Sequence, residues 1–169
     1  AEIDEFGYIK IVDRINSIIC LSNGKNVAPA KVESFFATSP YIEQIYTIGN
    51  ERSAISTLIV PNFTQFKEEF DNQGIEYDRV EIKIDESAGL PIVYKVGEDF
   101  IEKGNLKALI DQEVGKANKE LEHFEQVKQY TILTERFTEK NGMLTPTQKV
   151  KPSVIVDTYS DQIEKMYDR

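Results

Sequence analysis

Two runs of β-branched and aromatic residues, Tyr41 to Ile48 and Ile55 to Val60, are separated by the polar stretch Gly49-Asn50-Glu51-Arg52. Such runs read as strands, and the short polar link predicts that they pair with each other. A sheet of this kind must bury a face, so neighbouring elements have to cover it.

The flanking residues supply that cover. Ala28-Pro29 opens a helix, with Pro29 suited to its first turn and Val32, Phe35 and Phe36 as its apolar face. Asn62 can cap a second helix whose buried stripe is Phe63, Phe66 and Phe70, and Gly74 is its stop. Upstream, residues 8 to 12 alternate like a strand, and Ile18-Ile19-Cys20-Leu21 is another short strand. Asn23-Gly24 follows it, a strong turn signal. From Leu106, apolar residues recur at helical spacing through Leu109, Ile110, Val114, Ala117 and Leu121. Val127 to Leu133 is a further strand, and residues 135 to 148 form a polar loop. A last helix carries Val156, Tyr159 and Ile163 on one side. The pattern is α+β, a small mixed sheet flanked by helices. Residues 75 to 104 fit it poorly: Val80 to Ile84 alternates like an edge strand, Gly89-Leu90-Pro91 breaks it, and the stretch reads as an insertion or a surface elaboration.

The chain has 169 residues, enough for one domain with an ordinary core. Its single cysteine, Cys20, allows no internal disulfide, which fits a reducing compartment. Cys20 alternates with apolar neighbours and reads as core. A net charge of −9 argues against nucleic-acid binding through a general basic surface. No apolar run is long enough to span a membrane. The start lacks a methionine and lies among charged residues, as though cut from something longer.

Few residues suggest chemistry by themselves. Lys149 follows Thr145-Pro146-Thr147, where proline stiffens the approach. Its ammonium suits a carboxylate or phosphate oxygen, although local features alone describe a solvated surface lysine. Arg14 after Asp13 offers a fork of donors for a ribose or carboxylate, or an ordinary surface ion pair. Asn16 marks a break between strands, a hinge or a plain connection. Ser22-Asn23-Gly24-Lys25-Asn26 is a tight loop whose glycine permits close approach, or simply a hairpin turn. His123 is the only histidine, so a zinc site is not expected. The acidic runs at Glu68-Glu69 and Asp85-Glu86 lack a calcium-loop pattern, and no metal site is expected.

The order of these segments is more specific than any one of them. Gly7-Tyr8-Ile9-Lys10-Ile11-Val12-Asp13-Arg14, Ser22-Asn23-Gly24-Lys25-Asn26-Val27-Ala28-Pro29, Ser39-Pro40-Tyr41-Ile42-Glu43-Gln44 and Leu58-Ile59-Val60-Pro61 run in sequence. Phe124-Glu125-Gln126-Val127-Lys128, Phe137-Thr138, Asn141-Gly142 and Leu144-Thr145-Pro146-Thr147-Gln148-Lys149 follow. Together they resemble the mobile C-terminal domain of adenylate-forming enzymes, in the form of long-chain fatty acid–CoA ligases. The resemblance is weak over residues 75 to 104.

What the resemblance implies is a two-step reaction on ATP with Mg2+, a fatty acid and coenzyme A, performed together with a large N-terminal domain not included here. In it Lys149 matches the adenylation lysine, Arg14 after Asp13 the ribose contact, and Asn16 the hinge. Ser22, Asn23, Gly24 and Lys25 match the loop that serves thioester formation. Relatives usually carry lysine or aspartate at the hinge. Many have lysine where Cys20 stands, so no role of that lysine transfers. By itself this domain should be inactive. The alternatives are a sibling ligase that loads a carrier protein and a stand-alone binding or regulatory module. A cytoplasmic location is expected, with peripheral membrane contact of the whole enzyme left open; no basic amphipathic helix is visible.

Overall fold

The computed structural model describes residues 18–87 and 89–167. The strand expected over residues 8 to 12, and Asp13, Arg14 and Asn16, lie outside them. Two short strands, β1 (Ile19–Cys20) and β2 (Asn26–Val27), form an antiparallel hairpin. Gly24 turns it with φ +90, a conformation that side chains with a Cβ resist. Helix α1 (Pro29–Ser34) follows, with proline in its first turn. Its buried side is Val32 together with Phe36 just beyond the helix; Phe35, expected on that side, is 37% exposed.

Strands β3 (Ile42–Ile48) and β4 (Ile55–Pro61) pair antiparallel as expected. Strand β7 (Val127–Ile132) joins β4 in parallel, giving the mixed order β3-β4-β7. The central β4 is buried along its whole length, Ser56 and Thr57 included, as suits a strand covered on both faces. A parallel neighbour requires a long crossover. Helix α2 (Phe63–Gln73), residues 75–104 and helix α3 (Leu106–Glu120) provide it. Helix α2 begins where the Asn62 side chain accepts from the Gln65 N–H at 3.2 Å, and ends at Gly74 in the left-handed conformation.

Residues 75–104 contribute to the core. They hold a hairpin of β5 (Lys83–Asp85) and β6 (Ile92–Lys95), with 3-10 turns on either side. The extended run expected from Val80 is a 3-10 turn over Arg79–Glu81, and the strand is confined to Lys83–Asp85. Tyr77, Val93, Val96, Phe100 and Ile101 are buried in the same cluster as the sheet. Phe100 lies 5.0 Å from Phe70 and 6.2 Å from Phe63, ring centre to ring centre. Asp71 on α2 accepts from Tyr77 Oη at 2.7 Å, Arg79 at 2.6 Å and Lys67 at 3.0 Å. These bonds, the Tyr77 hydroxyl's foremost, hold its carboxyl down to about 2.

The terminal helical stretch is two helices, α4 (Pro152–Thr158) and α5 (Ser160–Tyr167), parted at Tyr159. Their buried residues are Ile155, Ile163 and Met166, whereas Val156, expected inward, is 39% exposed. Cys20 is also exposed, with Ile19 and Leu21 buried beside it; the alternation is present in the opposite phase. Among the described residues, no helix is long and apolar enough to cross a membrane.

Candidate functional site

The loop that carries Lys149 leaves the C-terminal end of β7 and is fixed in stages. The Phe137 ring is buried, 2% exposed. Its backbone is gripped by the Gln44 side chain: the Phe137 N–H donates to Oε1 at 2.7 Å, and Nε2 donates to the Phe137 carbonyl at 3.0 Å. Asn141 closes the next turn. Its Oδ1 accepts from the N–H groups of Thr138 and Met143, both at 3.1 Å, and its Nδ2 donates to the Arg136 carbonyl at 2.9 Å. Met143 and Leu144 are buried.

Beyond them the chain folds back on itself. Lys151 N–H donates to the Met143 carbonyl at 2.8 Å, Leu144 and Val150 form an antiparallel bridge, and Thr145 N–H donates to the Lys149 carbonyl at 2.8 Å. Gln148 N–H donates to the Thr145 carbonyl at 2.8 Å, with Gln148 at φ 67. Lys149 N–H donates to Thr145 Oγ1 at 3.1 Å. Lys149 therefore stands on a closed, hydrogen-bonded turn with an exposed side chain.

The Ser22–Lys25 loop is built differently. Leu21 N–H donates to the Lys25 carbonyl at 2.8 Å, Gly24 N–H to the Leu21 carbonyl at 2.9 Å, and Lys25 N–H to Asn23 Oδ1 at 2.9 Å. Ser22 N–H donates to the Arg52 carbonyl at 2.9 Å, which ties the loop to the β3–β4 turn. Lys25 Nζ lies 5.4 Å above the Phe124 ring. Behind it, Lys31 pairs with the buried Glu125 at 2.9 Å, and Glu125 Oε1 also accepts from the Glu122 N–H at 3.1 Å.

The sheet keeps the two loops apart. Gln44 pairs with Val60 at one end of the β3–β4 ladder, and Arg52 lies in the turn at the other. At about 3.3 Å per residue, the two anchors are separated by roughly 15 Å. The Lys149 loop and the Ser22–Lys25 loop are thus anchored at opposite ends of the sheet. An open depression of about 530 Å³ between α3 and β7, lined by Lys107, Asp111, Lys128 and Tyr130 among others, includes neither. Among the described residues, no group of three or more His, Cys, Asp or Glu is placed to hold a metal ion. Exposed ammonium groups on tight turns suit phosphate or carboxylate oxygens arriving from outside this chain.

Gln44 and Asn141, which support the loop, are not among the site residues expected from the sequence. Asn141-Gly142 is a recognisable turn pair. The Gln44–Phe137 contact spans 93 positions and leaves no local trace.

Comparison with known proteins adds the lineage. The sequence profile of AMP-binding enzyme C-terminal domains matches residues 16–88. A long-chain fatty acid–CoA ligase of Mycobacterium tuberculosis is 32% identical, over 99% of this chain and 25% of that protein. A long-chain fatty acid–[acyl-carrier-protein] ligase of Arabidopsis thaliana is 30% identical, over 95% of this chain and 18% of that one. This chain spans about a quarter or less of such relatives. The adenylation domain of a carboxylate reductase from Mycobacterium chelonae superposes with a TM-score of 0.63 at 23% identity, over 91% of this chain and 20% of that one, a likeness of fold. The A-PCP didomain of the carboxylic acid reductase from Segniliparus rugosus, in complex with AMP, gives 0.59 at 25% identity, over 92% and 18%.

Proposed function

We propose, for a chain that is a C-terminal domain of the AMP-binding, adenylate-forming enzymes, the part of catalytic lid in a long-chain fatty acid–CoA ligase. The fatty acid carboxylate attacks the α-phosphate of ATP, and pyrophosphate leaves from an acyl-adenylate. The sulfur of coenzyme A then attacks the acyl carbon, and AMP leaves. Lys149 serves the first step, where its ammonium holds the carboxylate and phosphate oxygens together and offsets the charge growing between them. The Ser22–Lys25 loop serves the second. Arg14 after Asp13 meets the ribose, and Asn16 is the hinge between the two poses. ATP, Mg2+, fatty acid and coenzyme A are held chiefly by a larger N-terminal domain of the same protein.

The observation that carries this reading is the anchoring of the two loops at opposite ends of one small sheet. A domain built so can offer Lys149 in one orientation and the hairpin loop in another, without remodelling its core.

The test is thioester formation by the full-length protein from a long-chain fatty acid, MgATP and coenzyme A, followed as acyl-CoA and AMP. Acyl-CoA in step with AMP is expected. Thioester on a carrier protein alone would instead favour the carrier-loading function borne by the name of the Arabidopsis relative. The 169-residue chain should form no hydroxamate from fatty acid, ATP and hydroxylamine; hydroxamate formation there would contradict the division of labour.

A further inference from the structure

The base of the Lys149 loop, residues 134–137, is held from two sides. On one side, β6 joins it backbone to backbone: Val96 N–H donates to the Thr134 carbonyl at 2.9 Å, Arg136 N–H donates to the Tyr94 carbonyl at 2.8 Å, and Lys95 bridges Glu135. On the other side stands β3. The β3–β4 register shifts between Ile42 and Gln44, opposite Pro61, which has no N–H to give to a ladder. Such a bulge re-aims the side chains around it. Here Gln44 reaches the Phe137 backbone with both ends of its amide, at 2.7 and 3.0 Å, and Glu43 reaches Arg136 at 3.1 Å.

We infer that Gln44 is a positioning residue for adenylation. It acts through the Phe137 backbone to set the height and direction of the turn carrying Lys149, while the β6 segment braces the same four residues from behind. The inference rests on the adenylation role proposed for Lys149. The route is continuous: Gln44 fixes Phe137, Asn141 ties Arg136 and Thr138 to Met143, the Met143 carbonyl accepts from Lys151 N–H, and Thr145 both donates to the Lys149 carbonyl and accepts from the Lys149 N–H. Gln44 needs its full amide for this, since one atom accepts and the other donates. Glu keeps the acceptor but sets a second anionic oxygen against the Phe137 carbonyl.

The experiment compares Gln44→Ala, Gln44→Glu and Lys149→Ala in the full-length protein. Both half-reactions are measured: ATP–pyrophosphate exchange with fatty acid, and transfer from supplied acyl-adenylate to coenzyme A. A misplacement of about 1 Å can cost on the order of 100-fold. Both Gln44 variants should therefore lose about 10- to 100-fold in kcat for exchange, with KM for ATP and transfer kept within about 2-fold. Amide hydrogen exchange at Phe137 should quicken at least about ten-fold in both, which reports the clamp apart from activity. Equal loss in both half-reactions would make Gln44 a general structural residue and overturn the inference. Loss of exchange activity in Lys149→Ala but not in the Gln44 variants would overturn the clamp alone. Undiminished exchange in Lys149→Ala would remove the lysine's role, and the clamp's function with it.

Discussion

Truncating Phe100 to alanine tests whether residues 75–104 belong to the core that holds the sheet. Phe100 is fully buried, and its ring meets Phe70 at 5.0 Å, Tyr77 at 5.1 Å and Phe63 at 6.2 Å. Two of these partners lie on α2, so removing the ring opens a cavity between the segment and a core helix. A buried Phe→Ala change costs about 3–5 kcal/mol through lost transfer energy and the cavity left behind. For a domain of this size that lowers Tm by about 10 °C. The loss is about a third to a half of a typical folding free energy near 10 kcal/mol. The assay is urea unfolding followed by far-UV circular dichroism. With a slope of about 2 kcal/mol/M the midpoint should fall by about 2 M, in one transition of unchanged slope. Leu90→Ser, at a site 77% exposed, is the control and should stay within about 0.5 kcal/mol. A Phe100→Ala loss below about 1 kcal/mol would refute the reasoning. So would a small early transition that leaves the main one in place, because the segment would then be an appendage.

Two further perturbations probe neighbouring features. The Asp71 carboxyl is held near 2 against an ordinary 3.8, so its contribution is complete above about pH 4 and is lost as pH falls toward 2. With the side chain 31% exposed, solvent screening limits it to about 1 kcal/mol. Asp71→Asn should flatten the fall of the urea midpoint between pH 4 and 2, and identical slopes would speak against the network. At Gly49 an added Cβ would lie 2.7 Å from Ile55 Cδ1, 3.2 Å from Ile19 and 3.3 Å from Leu21. Gly49→Ala should cost about 1–2 kcal/mol in thermal unfolding, since the Ile55 methyl can give way only in part. No change there would mean that the β1–β2 hairpin is loosely seated.

Local chemistry made much of this architecture legible. Asn23-Gly24, Pro29, the Asn62 cap and Gly74 each act within a few residues, and each does in the structure what its type suggests. Phase and breaks were harder. Cys20, Phe35 and Val156 sit one position from residues that are buried, and only tertiary packing decides which neighbour turns inward. The strands of residues 75–104 are too short to show a period, and their buried residues, Tyr77, Val93, Val96 and Phe100, are irregularly spaced. The site was less legible still. Lys149 has no local signature beyond a stiff approach, and its role is implied by the ordered family motifs. The Gln44 clamp joins residues 93 positions apart and exists only once β3 has formed its bulge.

The central claim, that Lys149 belongs to adenylation and the hairpin loop to transfer, meets its most direct test in one ratio. In the full-length protein, Lys149→Ala should lower ATP–pyrophosphate exchange by about 100- to 1000-fold, the usual cost of removing one charge-stabilising group. Transfer from supplied acyl-adenylate to coenzyme A should change by no more than about 2-fold. A comparable loss in both half-reactions would contradict the account.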